Sequence, residues 1–344
     1  MKNISIIGYG ERSKNTVVPA LIKSNKFLIK QIITKSSRKL IKINDFYGEK
    51  ILKTQSIEQI KLLDINYLYI AVPAPEIKKV ILNLKNRFDI KNIILLIDTP
   101  PIYIKDIFFI RNFNKFKEVI VLEDWPFYRN HQIYIQIINN KQIGNLNKIL
   151  FFHNGYKYHT LSLLRKLFKI KNFNFIISKK LNSGFSTINI YSKLRLISSI
   201  LNPRDYNIGR TLLIGSSGSI ADYKIKTNSK FDNYFVKYKH DSNYKGIEIL
   251  KNGFILEEYL LNNPYSFNSE DKLLEIQNKI KKDALFDLIC EITNKNFINS
   301  YKLEDAIYDY LCFFIVDKFG LFFDFRIPFF RNSILSIIIK VLFL

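Results

Sequence analysis

The hydrophobic pattern opens on Asn3-Ile4-Ser5-Ile6-Ile7, a short run rich in β-branched residues that predicts a buried strand. It stops at Gly8-Tyr9-Gly10-Glu11-Arg12-Ser13, and Val17, Val18, Ala20 and Leu21 then recur at helical spacing between Thr16 and Ser24. The alternation continues along the first third of the chain. Leu28 to Thr34 predicts a strand, Ser56 to Leu63 a helix, Tyr67 to Val72 a strand closed by Pro73-Ala74-Pro75, and Glu76 to Asn86 a helix. Asn92 to Ile97 predicts a strand followed by Asp98-Thr99-Pro100-Pro101, Ile102 to Phe113 a helix, and Glu118 to Leu122 a strand ending at Glu123-Asp124-Trp125-Pro126. Five strands alternating with helices predict a doubly wound parallel sheet of the α/β class. Ligands bind at the carboxyl ends of such strands. The glycine turn, Pro73, Asp98-Thr99-Pro100 and Trp125 all lie at those ends and are expected to line one crevice.

Farther on, Leu303 to Val316 predicts an apolar helix, and Ile334 to Leu344 forms a last apolar run broken by Ser336 and Lys340. That run falls short of the roughly 20 residues a membrane-spanning helix needs. A final helix packed on the protein is the favoured reading, with a helix lying in a membrane interface as the other.

At about 150 residues per domain, 344 residues suggest two domains. A 47% hydrophobic and 24% charged composition is that of a globular chain and excludes a disordered or collagen-like one. Only Cys290 and Cys312 are present, too few for a disulfide scaffold or a four-cysteine zinc site, which fits a reducing cytoplasm. No small-residue cleavage site follows the first strand, which argues against a signal peptide. The net charge of +23 has two readings. It is the electrostatic footprint of a nucleic-acid or anionic-membrane binder. It is also what an AT-rich genome gives a chain full of Ile, Lys, Asn and Phe. The lysines are spread rather than gathered in one arm, so the compositional reading is preferred and neither a nucleic-acid nor a membrane partner is expected.

Strand, glycine turn and helix in that order form the context that a dinucleotide fingerprint requires. Gly8 would permit the tight turn and Gly10 the approach of a pyrophosphate to the helix N-terminus, with Tyr9 between them and Arg12 close by; Ser13 stands where the third glycine usually does. An NAD site commonly has an acid at the end of the second strand to bind the ribose hydroxyls. Here Thr34-Lys35-Ser36-Ser37-Arg38-Lys39 offers hydroxyls and a guanidinium instead, which suit a 2′-phosphate. Ser36, Ser37 and Arg38 therefore favour NADP, with NAD possible, against the plain reading of a solvated basic loop.

In order and spacing, a series of segments resembles the Gfo/Idh/MocA oxidoreductases, which include glucose–fructose oxidoreductase and inositol dehydrogenase. Ile6-Ile7-Gly8-Tyr9-Gly10 with Pro19-Ala20-Leu21 resembles the family's opening. Ser56 to Ile60, then Ile70-Ala71-Val72-Pro73, resemble the stretch before the nicotinamide. Ile97-Asp98-Thr99-Pro100 falls where the family writes Glu-Lys-Pro, Asn140 to Leu146 resembles the turn into its second domain, and His159 to Leu167 its histidine-bearing helix. Gly209 to Ile220 resembles a glycine-rich turn late in its sheet. The resemblance covers about the first two thirds of the chain. It implies a Rossmann NAD(P)-binding domain over residues 1–122 and a substrate and oligomerisation domain over 123–344 with an open, mainly antiparallel sheet and C-terminal helices. It also implies a homodimer or homotetramer formed through that sheet.

The resemblance places Thr99 at the position of the family's lysine, His159 at its histidine and Gly155 where its aspartate falls. A threonine hydroxyl has no useful pKa for acid catalysis, and loss of a positioned acid or base typically costs about 10²–10⁴ in rate. The expected sites are thus His159, Thr99 and Tyr158 for chemistry. Gly8, Tyr9, Gly10, Arg12, Ser36, Ser37, Arg38, Val72, Pro73, Asp98 and Trp125 are expected at the cofactor. His131, His153 and His159 lack any metal-ligand spacing, so no metal is expected. The substrate would be a small carbonyl, hydroxyl (sugar-like) or imine compound. The other reading is a nucleotide-binding pseudo-enzyme or scaffold with a degenerate site.

Overall fold

In the computed structural model, residues 1–34, 52–54, 60–152, 157–171, 173–180, 186–203, 210–222, 232–240, 245–251, 254–260, 272–294 and 301–323 are described. The chain forms two compact units. The first is built from Met1–Asp124 and Leu285–Tyr308, the second from Trp125–Ala284 and the segment that resumes at Asp309.

The first unit contains a six-stranded sheet in the order β3-β2-β1-β4-β5-β6. Its strands are β1 (Lys2–Ile7), β2 (Phe27–Ile33), β3 (Leu52–Thr54), β4 (Tyr67–Ile70), β5 (Ile94–Ile97) and β6 (Glu118–Val121). Every pairing is parallel. Consecutive strand residues point to opposite faces, yet all of Tyr67–Ile70 is buried. Both faces of the sheet are therefore covered, as a parallel sheet requires. The order reverses between β1 and β4, which makes their carboxyl ends the topological switch point.

Three local expectations change. The strand β3 was not foreseen, because three residues at a sheet edge carry too little pattern. Of the helix expected over Ser56–Leu63, Ser56 to Gln59 lie outside the described residues, and Ile60 to Leu63 are not helical. The cause is a side chain: Gln31 accepts from the Lys61 N–H at 3.3 Å and donates to the Lys61 carbonyl at 2.9 Å, replacing the helical ladder there. The helix expected over Ile102 to Phe113 is a 3₁₀ segment, Ile104–Lys115, kinked at Asp106. Lys78 of helix α2 (Ala74–Arg87) holds the Asp106 carboxylate at 3.0 Å.

The second unit contains a ten-stranded sheet in the order β15-β14-β13-β12-β11-β7-β10-β9-β8-β16. These strands are β7 (Leu146–Phe152), β8 (Phe175–Lys180), β9 (Ser186–Ser192), β10 (Arg195–Leu201), β11 (Arg210–Gly215), β12 (Gly218–Ala221), β13 (Asp232–His240), β14 (Lys245–Lys251), β15 (Phe254–Leu260) and β16 (Leu321–Phe323). Only the pairs β7/β10 and β12/β13 are parallel, so the sheet is mixed and mainly antiparallel. The expected C-terminal helix is present as Leu303–Phe319, but Ile334 to Leu344 lie outside the described residues. Among the described residues no helix is long and apolar enough to cross a membrane.

Within this unit, Arg165 on helix α4 (Lys157–Phe168) grips Asp309 with Nη2 at 2.6 Å and with Nε at 3.1 and 3.2 Å from the two carboxylate oxygens. The pair is almost wholly buried, and the guanidinium also lies 5.1 Å from the Phe173 ring centre. Removing one partner of a buried pair leaves an uncompensated charge, a loss of about 3–5 kcal/mol, whereas replacing both by apolar groups can be neutral. Urea unfolding of Arg165→Met and Asp309→Leu should each show that loss, and the double variant should recover most of it.

Candidate functional site

Of the predicted nucleotide residues, Gly8, Tyr9, Gly10, Arg12, Val72, Pro73 and Asp98 lie at the carboxyl ends of β1, β4 and β5. Gly8 has φ +96°, and a side chain there would collide with the Ala71 carbonyl and reach Val72 Cγ1 at 3.1 Å. The turn after β1 thus lies directly against the chain leaving β4, and only glycine fits. Gly10 is the opposite case: a Cβ added there meets nothing within 4 Å. Open space beside Gly10, where the wide helical turn of Ser13–Val17 and then α1 (Val18–Ser24) begin, is what a pyrophosphate would need. Ser13 fills the third-glycine position with a buried hydroxyl that has no hydrogen-bond partner. Tyr9 is buried, so its side chain belongs to the core, while Val72 is half-buried and Pro73 exposed.

Arg12 does not stand as a free phosphate ligand. Its Nε donates to Asp98 Oδ1 at 2.9 Å and its Nη2 to Asp124 Oδ2 at 3.1 Å. The buried Tyr69 hydroxyl donates to the other Asp98 oxygen at 2.6 Å. Burial alone would push the Arg12 pKa down, but the two carboxylates outweigh it and hold the guanidinium further above its ordinary value. Burial first, and then the adjacent Asp98, push the Tyr69 phenol well up, so Tyr69 stays a neutral donor. Asp98, expected at the cofactor, has both oxygens committed to this cluster. Thr99 follows it, half-buried, with a cis peptide to Pro100. Ser36, Ser37 and Arg38 lie outside the described residues, as do His153 and Gly155.

The remaining predicted residues gather in the second unit. Trp125 sits in a short 3₁₀ turn, Trp125–Phe127, ahead of helix α3 (Arg129–Asn139). Its ring stacks on His159 at 6.1 Å between centroids and lies 4.9 Å from Tyr128 and 5.2 Å from His131. Tyr158 and His159, neighbours at the start of α4, bring their rings to 4.2 Å. His131 Nδ1 donates to the Trp125 carbonyl at 2.6 Å. Burial lowers the His131 pKa from 6.5 to about 4 against the opposing effect of that hydrogen bond, so the ring is neutral. At the far end of β12, the buried Asp222 accepts from the Thr211 N–H at 2.7 Å. Burial raises its carboxyl pKa from 3.8 to about 7, with the Thr211 hydrogen bond and Arg210 opposing. Among the described residues no group of three or more His, Cys, Asp and Glu is placed to hold a metal ion.

Sequence reading missed Tyr69, Asp124 and Asp222 as participants. For Asp124 a signal existed: like Asp98 it is an acid following a strand, opposite an arginine in the glycine turn. The separations, 86 residues from Arg12 to Asp98 and 112 to Asp124, put it beyond any local pattern.

A parallel sheet with its glycine turn at the switch point, joined to a mixed ten-stranded sheet, is the architecture of Rossmann-type dehydrogenases. Solved structures share it. A myo-inositol dehydrogenase from Corynebacterium glutamicum superposes with a TM-score of 0.61 at 13% identity, over 94% of this chain and 98% of the other. An oxidoreductase from Agrobacterium radiobacter in complex with NAD+, L-tartaric acid and magnesium gives 0.65 at 11%, over 94% and 98%. A scyllo-inositol dehydrogenase from Lactobacillus casei with NAD(H) and scyllo-inositol gives 0.59 at 12%, again over 94% and 98%. At these identities the likeness is one of fold. No family model and no curated protein matches the sequence.

Two outcomes test the electrostatics. Arg12→Met leaves Asp98 and Asp124 without their cation and should lower stability by about 1–3 kcal/mol in denaturant unfolding. Arg12→Lys should recover only part, since one ammonium lacks the planar fork that reaches both acids. The pH dependence has two opposed parts. Unfolding lets His131 take up a proton between about 4 and 6.5, so its contribution is full above 6.5 and is lost toward 4, about 3 kcal/mol at most. Asp222 binds its proton more tightly when folded, so its contribution is full below 3.8 and is lost as pH rises through about 7. Stability of Asp222→Asn measured from pH 4 to 7 should therefore rise with pH, and that of His131→Asn should fall.

Proposed function

We propose that this chain is a nicotinamide-nucleotide-dependent oxidoreductase acting on a small hydroxyl, carbonyl or imine compound. The glycine turn carries the reading: Gly8 is locked against Ala71 while Gly10 faces open space at the switch point. The structural neighbours named above with NAD+ or NAD(H) bound support the cofactor class. The segment after Thr34, which has no acid and contains Ser36, Ser37 and Arg38, supports NADP as the preferred form. The presence of only two cysteines supports a cytoplasmic location.

The nucleotide would supply or accept hydride. The chain's part is to bind and orient it and to manage a proton. The backbone N–H groups of the glycine turn and the helix that follows would hold the phosphates, since the Arg12 charge is offset by two carboxylates. With Thr99 in place of an ammonium, His159 and Tyr158 are the candidate proton donors, held side by side on α4 with Trp125 across the His159 ring. A substrate that needs little acid assistance, such as a protonated imine, suits this set best, and polyols come next because the neighbours include inositol dehydrogenases.

Titration of the protein with NADPH and NADH, followed by nucleotide fluorescence, tests the proposal. NADPH should bind the more tightly, Gly10→Val should abolish binding of both, and Arg38→Ala should weaken NADPH selectively. No binding of either at millimolar concentration would overturn the reading. Binding without hydride transfer to any ketose, polyol or imine tried would favour the pseudo-enzyme.

A further inference from the structure

We propose that the outer face formed by α2 and the neighbouring 3₁₀ segment docks on an anionic phospholipid surface. Phe108 and Leu82 would enter the acyl boundary, and the cations around them would meet the headgroups. The proposal goes beyond the oxidoreductase reading and does not depend on it.

Two hydrogen bonds set the segments side by side. Lys78 Nζ donates to Asp106 Oδ1 at 3.0 Å, and Lys85 Nζ donates to Asn112 Oδ1 at 3.0 Å. Leu82 lies between those ties on α2 and Phe108 between them on the 3₁₀ segment, so the two fall at one level of the pair. Both are exposed, Phe108 by 63% and Leu82 by 36%, and Tyr103, just ahead of the segment, by 38%. These are three of the seven large hydrophobic side chains exposed among the described residues. A single exposed apolar residue needs no explanation, but a group of them marks an interaction surface.

Cations bracket each apolar side chain. Leu82 stands three residues after Lys79 and three before Lys85; Phe108 stands three after Lys105 and three before Arg111. All four cations are exposed. Residues three apart are neighbours on an α-helix and eclipse on a 3₁₀ helix, so Phe108 and Arg111 share one edge. Across the kink at Asp106, the Lys105 ammonium lies 5.3 Å from the Tyr103 ring centre. Over residues 74–87 and 103–117 together, eight basic residues face two acids, against 53 to 30 for the whole chain. One of those acids, Asp106, is already held by Lys78. A genome-wide bias toward lysine accounts for cations but not for exposed Phe and Leu set among them.

Charge and apolar surface together select the occupant. Interfacial proteins place Phe and Leu at the boundary of headgroups and acyl chains and Lys or Arg among anionic headgroups. A single-stranded nucleic acid could stack a base on Phe108 but would leave Leu82 in water.

Flotation of the full chain with vesicles tests the proposal at physiological ionic strength, where diffuse attraction is screened beyond about 8 Å. The protein should float with vesicles of equal parts phosphatidylcholine and phosphatidylglycerol and stay behind with phosphatidylcholine alone. Phe108→Ser leaves the charge unchanged and should weaken binding by about tenfold, as withdrawal of one large apolar side chain does. Lys79→Gln combined with Lys105→Gln should weaken it by about twentyfold, at about fivefold per cation. Lys2→Gln combined with Lys26→Gln removes the same charge from two exposed lysines at the amino-terminal edge of the first sheet and should leave binding nearly unchanged. Where Phe108→Ser does not fold, Leu82→Gln takes its place. Every variant should keep the nucleotide affinity of the parent, so failure of this proposal leaves the oxidoreductase reading standing. Equal losses from the two lysine pairs, or vesicle binding unchanged by both Phe108→Ser and Leu82→Gln, mean attraction by net charge alone and overturn the proposal. Binding of single-stranded RNA that Phe108→Ser weakens and Leu82→Gln does not, in a protein that ignores both vesicles, overturns it in favour of a nucleic-acid surface.

Discussion

The Arg12 guanidinium, held between Asp98 and Asp124 with Tyr69 closing the far side of Asp98, is the contact through which the switch point acquires its shape. It leaves the glycine turn after β1 and reaches the ends of β5 and β6, crossing β4 on the way. A turn rich in glycine is cheap to deform, because glycine has no side chain to wedge it in place. Here two constraints remove that freedom. Gly8 is pinned by the Ala71 backbone on one side, and Arg12 ties the start of the helical turn to two other strands. The backbone N–H groups that would meet a phosphate are thereby fixed before any ligand arrives, the condition under which hydrogen bonds to an anion are most effective.

The same cluster gives Asp98 a role that does not involve its neighbour Thr99. The carboxylate has a structural task that does not depend on catalysis: it compensates Arg12 and accepts from a phenol that is otherwise buried without a partner. A lysine at position 99 would add a second cation beside an arginine already committed. The helix that carries Tyr158 and His159 is fixed by the Arg165–Asp309 pair. Both units thus contain a guanidinium–carboxylate contact, partly buried at Arg12 and almost wholly buried at Arg165.

The first sheet was legible because most of its strand residues are buried and read as short apolar runs, and those of β1, β4, β5 and β6 are followed within a few residues by Gly, Pro or an acid. Gly8 and Gly10 could be singled out from the strand–turn–helix frame alone; the structure gives one no room for a side chain and the other open space. The helix expected at Ile60 to Leu63 failed for a reason that periodicity cannot show, a glutamine from another strand that satisfies the Lys61 backbone. Arg12 was visible as a residue but not as half of an ion cluster, since its partners are strand-end acids far along the chain. His131 was noted as a neighbour of the Trp125 turn; its neutrality depends on burial among rings that the one-dimensional pattern does not bring together.

The net charge of +23 acquires a local meaning from the same geometry. If the excess of lysine and arginine existed to attract a phosphate, it would be expected undiluted at the glycine turn. Instead the arginine there faces two carboxylates, Asp98 and Asp124, so its charge is offset locally. A phosphate docked at this point would be met by oriented N–H dipoles, which act at hydrogen-bond range and carry no net charge to be cancelled. The long-range attraction of a basic surface adds to the rate of encounter with an anion but does not choose where it docks. That division of labour is compatible with a genome-wide bias toward lysine, because surplus charge elsewhere on the surface leaves the docking geometry untouched.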